Sequence, residues 1–215
     1  LEANVIEPAV GFDVHKYNSA AFLVPKRSPD QGQGQGQASK RLVIDFRKLN
    51  SIVQPVILNL PPIADLVSEV ASKHSTIYSS CDITSFFWTL PLKESARKVT
   101  IFTSPSGRKF QFRVCPFGLV NSPGYASLTL LEALASLKGR IHYYVDDILV
   151  CDNNLSLHLS KLRELFLELR KYQLCLNAKK CVFLSDHGIF LGHKITKDGY
   201  QMVSKYSSDI IRKWG

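Results

Sequence analysis

The sequence predicts a mixed α/β (α+β) fold, with antiparallel hairpins forming a sheet and helices covering one face of it. Short apolar, β-branched runs recur in pairs around turn residues, and two stretches carry apolar residues at helical spacing. No internal repeat imposes another architecture. The 215 residues, 45% of them hydrophobic, supply one substantial core or two subdomains sharing a sheet.

Each element follows in order. Residues 20–24 and 40–45 read as the strands of a long hairpin. Their connection contains Gln31-Gly32-Gln33-Gly34-Gln35-Gly36-Gln37, a low-complexity tract with too little to bury to order itself. Pro62 stands near the first turn of a helix carrying Ile63, Leu66, Val67 and Val70 at helical spacing. Residues 76–81 form an apolar strand that ends at Asp82, and residues 98–104 and 109–114 flank Pro105-Ser106-Gly107 as a second hairpin. Ser122-Pro123 starts a helix that Gly139 ends.

The next hairpin is the informative one, because residues 141–145 and 148–151 are apolar strands separated only by Asp146-Asp147. A type I′ turn needs positive φ at both central residues and favours Asn-Gly or Asp-Gly, so two adjacent carboxylates there are costly in conformation and in charge. Something cationic must offset that cost. An amphipathic helix follows over residues 155–173, with Leu155, Leu159, Leu162, Phe166 and Leu169 on one face and Lys161, Arg163, Arg170 and Lys171 mostly off it. A last hairpin, 188–194 with 200–203, turns at Lys197-Asp198-Gly199.

Composition narrows the partners. There are 27 Lys and Arg against 18 Asp and Glu, a net charge of +9 with a pI near 9.3, which suits a polyanion. Nothing resembles a signal peptide or an apolar run long enough to cross a bilayer, so a soluble, intracellular protein is expected. The five cysteines, Cys81, Cys115, Cys151, Cys175 and Cys181, form no CxxC pair and read as reduced, mostly core residues. Because it opens at Leu1 and stops at Gly215 just after a basic, helix-like run, the chain reads as a piece of a longer polypeptide.

The chemistry lies in the carboxylates. An aspartate at a strand end and two more at a neighbouring hairpin tip offer hard oxygen ligands, which suit Mg²⁺ better than zinc. Two such ions, about 3.5–4 Å apart, can activate a 3′-hydroxyl and stabilise the pyrophosphate leaving group of an in-line displacement.

The setting of these residues resembles the reverse transcriptases of retroviruses and of gypsy-type LTR retrotransposons. Five blocks occur in that family's order: Ala21-Phe22-Leu23-Val24-Pro25-Lys26 through Arg41-Leu42-Val43-Ile44-Asp45-Phe46-Arg47-Lys48-Leu49-Asn50; Cys81-Asp82-Ile83 with Phe86-Phe87; Cys115-Pro116-Phe117-Gly118-Leu119-Val120-Asn121-Ser122-Pro123; Tyr144-Val145-Asp146-Asp147; and Phe190-Leu191-Gly192-His193. Thr84-Ser85-Phe86-Phe87-Trp88 is bulkier than gypsy-type usage and closer to retroviral, and the Gln-Gly tract enlarges a fingers loop.

The resemblance implies a right-hand polymerase of which this chain holds the fingers and palm. Residues 1–60 would be the N-terminal fingers, and 61–115 palm with the Asp82 strand and returning fingers elements. Residues 116–204 would be palm with the Tyr144–Asp147 hairpin and primer grip, and 205–215 the start of a thumb. Thumb, connection and RNase H would lie beyond. It implies Asp82 and Asp146 as principal metal ligands, Asp147 completing the cluster, and the Ile83 carbonyl helping to hold the nucleotide-bound ion. The ions would be two Mg²⁺, with Mn²⁺ as a substitute. Lys26 and Arg41 would grip the triphosphate, which suits a point charge and a bidentate fork. Phe87 would be the aromatic gate against a ribose 2′-hydroxyl. Phe117 and Gly118 would face nucleotide and template, Tyr144 and Val145 would flank the primer terminus, and Phe190, Leu191, Gly192 and His193 would form the primer grip. The implied partners are a template-primer duplex, dNTP and the rest of a Pol polyprotein in cis. The implied place is the cytoplasm, within virus-like particles. Two rivals stand beside this reading: a catalytically silent nucleic-acid- or protein-binding fragment, and another two-metal enzyme such as a nuclease. The second would have no use for a triphosphate grip or a sugar gate.

Overall fold

The computed structural model describes residues 4–11, 17–25, 40–56 and 60–203. Lys26, the Gln-Gly tract and residues 205–215 lie outside these, and Arg41 is described by its backbone alone. In chain order the elements are β1 (Ile6–Pro8), β2 (Ala20–Pro25), β3 (Lys40–Asp45), α1 (Arg47–Asn50), α2 (Ile63–Ala71), β4 (Ile77–Asp82), α3 (Glu94–Arg97), β5 (Phe102–Thr103), β6 (Lys109–Phe112), α4 (Ser122–Ala133), β7 (His142–Tyr144), β8 (Asp147–Asp152), α5 (Leu155–Lys171), β9 (Val182–Ser185), β10 (Gly188–Phe190), β11 (His193–Thr196) and β12 (Gly199–Met202). Every pairing between these strands is antiparallel. Contacts divide the chain into two units, Leu1–Val56 with Phe87–Pro123, and Ile57–Phe86 with Gly124–Gly215.

The first unit holds the β2–β3 hairpin and a sheet of order β1-β6-β5. Burial alternates along β6, so Phe110 and Phe112 join Ile44, Phe46, Leu49 and Phe102 in one aromatic core. The strand expected from residue 98 is cut to two residues. Thr100 Oγ1 donates to the Arg97 carbonyl at 2.6 Å and accepts the Phe112 N–H at 2.9 Å, which closes a 3-10 turn in place of ladder bonds. Strand β1, unforeseen in so short a run, is pinned by Glu7, which takes hydrogen bonds from Gln111 at 2.8 Å and Arg97 at 3.3 Å.

The second unit is built on a sheet of order β7-β8-β4-β9. On one face Tyr78, Leu149 and Cys151 pack with Val67, Val70 and Ala71 of α2 and with Phe190 and Ile195 of the meander β10-β11-β12. On the other lies α5, so the sheet is covered on both faces rather than on one. The side of α5 that is buried carries His158, Leu162, Leu165 and Leu169, whereas Leu155, Leu159 and Phe166 are exposed, contrary to the hydrophobic spacing. His158 sets this rotation, because its ring bonds to Asp152 at 3.0 Å and to Ser79 at 2.8 Å beneath the helix. Asn154 caps the same helix by accepting the Leu157 N–H. Helix α4 stops at Ala133 and a 3-10 turn, Ala135–Leu137, carries the chain to Gly139, six residues later than the helix end.

The segment read as one strand over 188–194 is two, because the chain reverses at Leu191-Gly192, where both φ values are positive, and Phe190 pairs with His193. Cys81, Cys115 and Cys151 are buried, while Cys175 is exposed. Among the described residues no helix is long and apolar enough to cross a membrane.

Candidate active site on the central sheet

Strands β4 and β8 pair in register from Ile77 opposite Asp152 to Asp82 opposite Asp147. Since β7 and β8 pair with Tyr144 opposite Asp147, the turn between them is Val145-Asp146. Three carboxylates thus gather at one end of the two middle strands. The turn is displaced by one residue from Asp146-Asp147, and Asp147 begins β8. Only Val145 takes a positive φ, +54°, the signature of a type II′ turn, so Asp146 escapes the left-handed region. A β-branched residue there is strained, at a cost on the order of 1–3 kcal/mol. Val145→Gly is expected to raise stability by about 1 kcal/mol in urea unfolding, the relief of strain exceeding the added unfolded-state entropy. A loss of stability would show that the Val145 side chain compensates by packing.

Burial first, and the Asp82 charge as well, raise the Asp146 carboxyl from its ordinary value, although the residue is exposed. Asp147 is pushed up by burial and then by Asp146 and Asp82, opposed by the Leu191 N–H, which it accepts at 3.3 Å. Lys180 Nζ lies 3.0 and 3.1 Å from the two carboxylate oxygens of Asp82. Ile83 is buried and pairs with Leu176 in an isolated bridge, and the Thr84 N–H donates to the Cys175 carbonyl at 2.7 Å. Among the described residues no three His, Cys, Asp or Glu side chains form a set that could hold a metal ion as it stands. The donor set nonetheless fits one: all three groups are hard oxygens, and two carry charges that burial and mutual repulsion disfavour and a cation would relieve.

Residues 24–195 match the model of the reverse transcriptase (RNA-dependent DNA polymerase) family. The chain belongs to that family. As a reverse transcriptase chain it is 34% identical, over 93% of its length, to the retrovirus-related Pol polyprotein from transposon opus of Drosophila melanogaster, of which it covers 19%. The corresponding polyprotein from transposon gypsy of the same organism is 31% identical over 85% of this chain, which spans 17% of it. Its fold superimposes on a foamy viral protease-reverse transcriptase in complex with double-stranded DNA, with a TM-score of 0.82 and 25% identity, covering 98% of this chain and 34% of that one.

Of the remaining reverse transcriptase residues read from the sequence, Phe190 is fully buried, and Leu191 ties its hairpin to Asp147 through the hydrogen bond already described. Gly192 accepts the Val203 N–H at 3.0 Å, and His193 Nδ1 donates to the Leu191 carbonyl at 2.9 Å. Tyr144 stands opposite Asp147 at the start of the turn. In the first unit Phe87 meets Phe117 edge-on with ring centroids 4.9 Å apart, and Trp88 meets the same ring at 6.1 Å. Gly118 has φ +92°, and a Cβ there would meet nothing nearer than 3.7 Å, so conformation rather than space calls for glycine. Asn50 clamps this loop by donating to the Gly118 carbonyl at 2.8 Å and accepting the Val120 N–H at 3.0 Å. Asn121 similarly accepts the Val56 N–H and donates to the Gln54 carbonyl. Both asparagines stand inside the quoted motifs, yet nothing in the sequence shows that their side chains hold backbone. Lys26 lies outside the described residues; Arg41 is placed only by its backbone pairing with Val24.

Proposed function

We propose that this chain is the catalytic portion of an RNA-directed DNA polymerase from a retroelement Pol polyprotein, extending a primer 3′-hydroxyl with dNTPs on RNA or DNA templates. The observation that carries the reading is the placement of Asp82 opposite Asp147, with Asp146 on the adjoining turn. The chain spans about a fifth of the relatives it matches, so the activity is that of the longer protein.

In this reading the first unit, with the Lys26 and Arg41 triphosphate grip, acts as fingers and the second as palm. Thumb, connection and RNase H segments of the longer protein act in cis. Asp82, Asp146 and Asp147, with the Ile83 carbonyl, would hold two Mg²⁺ ions, for which Mn²⁺ could substitute. When bound, such ions lower the charge barrier to nucleotidyl transfer. The chain's own residues position the reactants: the Leu191 N–H fixes one oxygen of Asp147, and the Phe190–His193 turn that carries it acts as the primer grip beside Tyr144 and Val145. The Asn50 clamp fixes the backbone of Phe117 and Gly118 against nucleotide and template. The excess of nine positive charges favours a phosphate-rich duplex, and foamy viral relatives of this fold are solved with double-stranded DNA and with an RNA/DNA hybrid. The cytoplasm, inside virus-like particles of the parent element, is the compartment that fits this activity.

Primer extension on an RNA template by a chain lengthened through the thumb is the test; no dNTP-dependent product in Mg²⁺ rejects the reading. Phe87 supplies a finer check. Its ring meets Phe117 edge-on, which supports its reading as a wall for the sugar. Phe87→Val is expected to raise rNTP relative to dNTP incorporation by at least about tenfold, the scale of a steric pocket. An unchanged ratio assigns Phe87 to packing alone.

A further inference from the structure

We propose that Lys180 is a built-in counter-ion of the carboxylate site, a positioning residue that holds Asp82 in the metal-free state and competes with divalent ions for its oxygens. This rests on reading Asp82, Asp146 and Asp147 as a metal site.

The arrangement is set by the backbone. Strands β4 and β9 pair antiparallel with Ser80 opposite Val182, so Asp82, two residues after Ser80, and Lys180, two residues before Val182, come to the same end. The lysine sits in a turn in which the N–H groups of Lys180 and Cys181 both donate to the Asn177 carbonyl, at 2.9 and 3.0 Å. Asn177 in turn donates its own N–H to the carbonyl of Asp82 at 2.8 Å. The chain on the lysine side is therefore anchored to the very residue whose carboxylate the ammonium meets, and the two flanking links at Ile83 and Thr84 keep the segments aligned. The ammonium bridges both Asp82 oxygens, the same atoms a divalent ion needs.

Its charge reaches further, opposing the rise of both Asp146 and Asp147. The Lys180 side chain is 62% exposed, so a long flexible stem can swing the ammonium into solvent when a metal arrives. An exposed ion pair is weak, which makes it displaceable rather than a block.

The test is Mn²⁺ binding to the nucleotide-free 215-residue chain, followed by water-proton relaxation, for wild type, Lys180→Gln, Lys180→Arg, Asp82→Asn and the Asp82→Asn/Lys180→Gln double variant. Lys180→Gln is expected to bind Mn²⁺ about threefold to fivefold more tightly, the scale of losing one exposed competing pair. Lys180→Arg, which keeps the charge, stays close to wild type. Asp82→Asn binds more weakly, and adding Lys180→Gln to it brings no gain. Unchanged or weaker binding by Lys180→Gln, with Asp82→Asn still impaired, overturns the counter-ion role alone, as does a gain that persists in the double variant. Equal binding by Asp82→Asn and wild type overturns the metal reading on which the proposal rests.

Discussion

Replacing Asp152 with alanine lowers stability by about 3–5 kcal/mol in urea unfolding followed by circular dichroism, because it breaks a buried charge network. Asp152 accepts from Lys161 Nζ at 2.5 Å and from His158 Nδ1 at 3.0 Å. Once His158 donates from Nδ1, its Nε2 must accept, so the Ser79 hydroxyl donates to it at 2.8 Å and its oxygen accepts the Leu184 N–H at 3.1 Å. Burial holds the His158 pKa below its usual value, which keeps the ring in the neutral form this chain of bonds requires. The order Asp, His, Ser mimics a nucleophilic triad, yet Ser79 and His158 are wholly buried and every polar atom is committed. The role is structural: four elements, β4, β8, β9 and α5, meet in this one network. Removing Asp152 leaves Lys161, whose side chain is only 12% exposed, with an uncompensated charge. A typical domain has about 5–15 kcal/mol in total, so the loss is a large share. A loss under about 1 kcal/mol would show that apolar packing alone holds α5 in place.

That network also explains where sequence reading stops. Leu155, Leu159 and Phe166 fit a helical stripe as well as Leu162 and Leu169 do, and only the tertiary pairing of His158 with Asp152 and Ser79 selects the side that turns inward. Strand existence was readable from apolar runs, as for β2, β3, β4 and β8. Exact ends were not: whether residue 145 or 147 closes the turn depends on a positive φ that valine rarely takes. The break at Leu191-Gly192 had a glycine as its one signal, and Thr100 ended a strand through side-chain bonds that no periodicity encodes. At the site the three aspartates and their neighbourhood were readable because motif order fixes them. The lysine that faces Asp82 was not readable. Lys180 is 98 residues from Asp82, and only strand pairing brings them together.

The carboxylates carry the largest functional effect. Asp146→Asn keeps the size and turn position of the side chain but removes a charge that the proposed metal ions would need. Single-nucleotide incorporation should fall by at least about 10³-fold, equivalent to about 4 kcal/mol of transition-state stabilisation. The same change should raise the melting temperature of the metal-free chain. An acid whose folded pKa lies above its unfolded value binds protons more readily when folded, so its ionised form weakens the fold at neutral pH, and asparagine removes that burden. Opposite signs in activity and stability distinguish a metal ligand from a structural aspartate, whose loss would lower both. The decisive measurement is single-nucleotide incorporation on an RNA-templated DNA primer by the thumb-bearing chain and its Asp146→Asn variant, in Mg²⁺ with dNTP. Metal-dependent extension by the wild type with a loss of at least about a thousandfold in the variant is the outcome that follows from the site; equal incorporation by the two would contradict it.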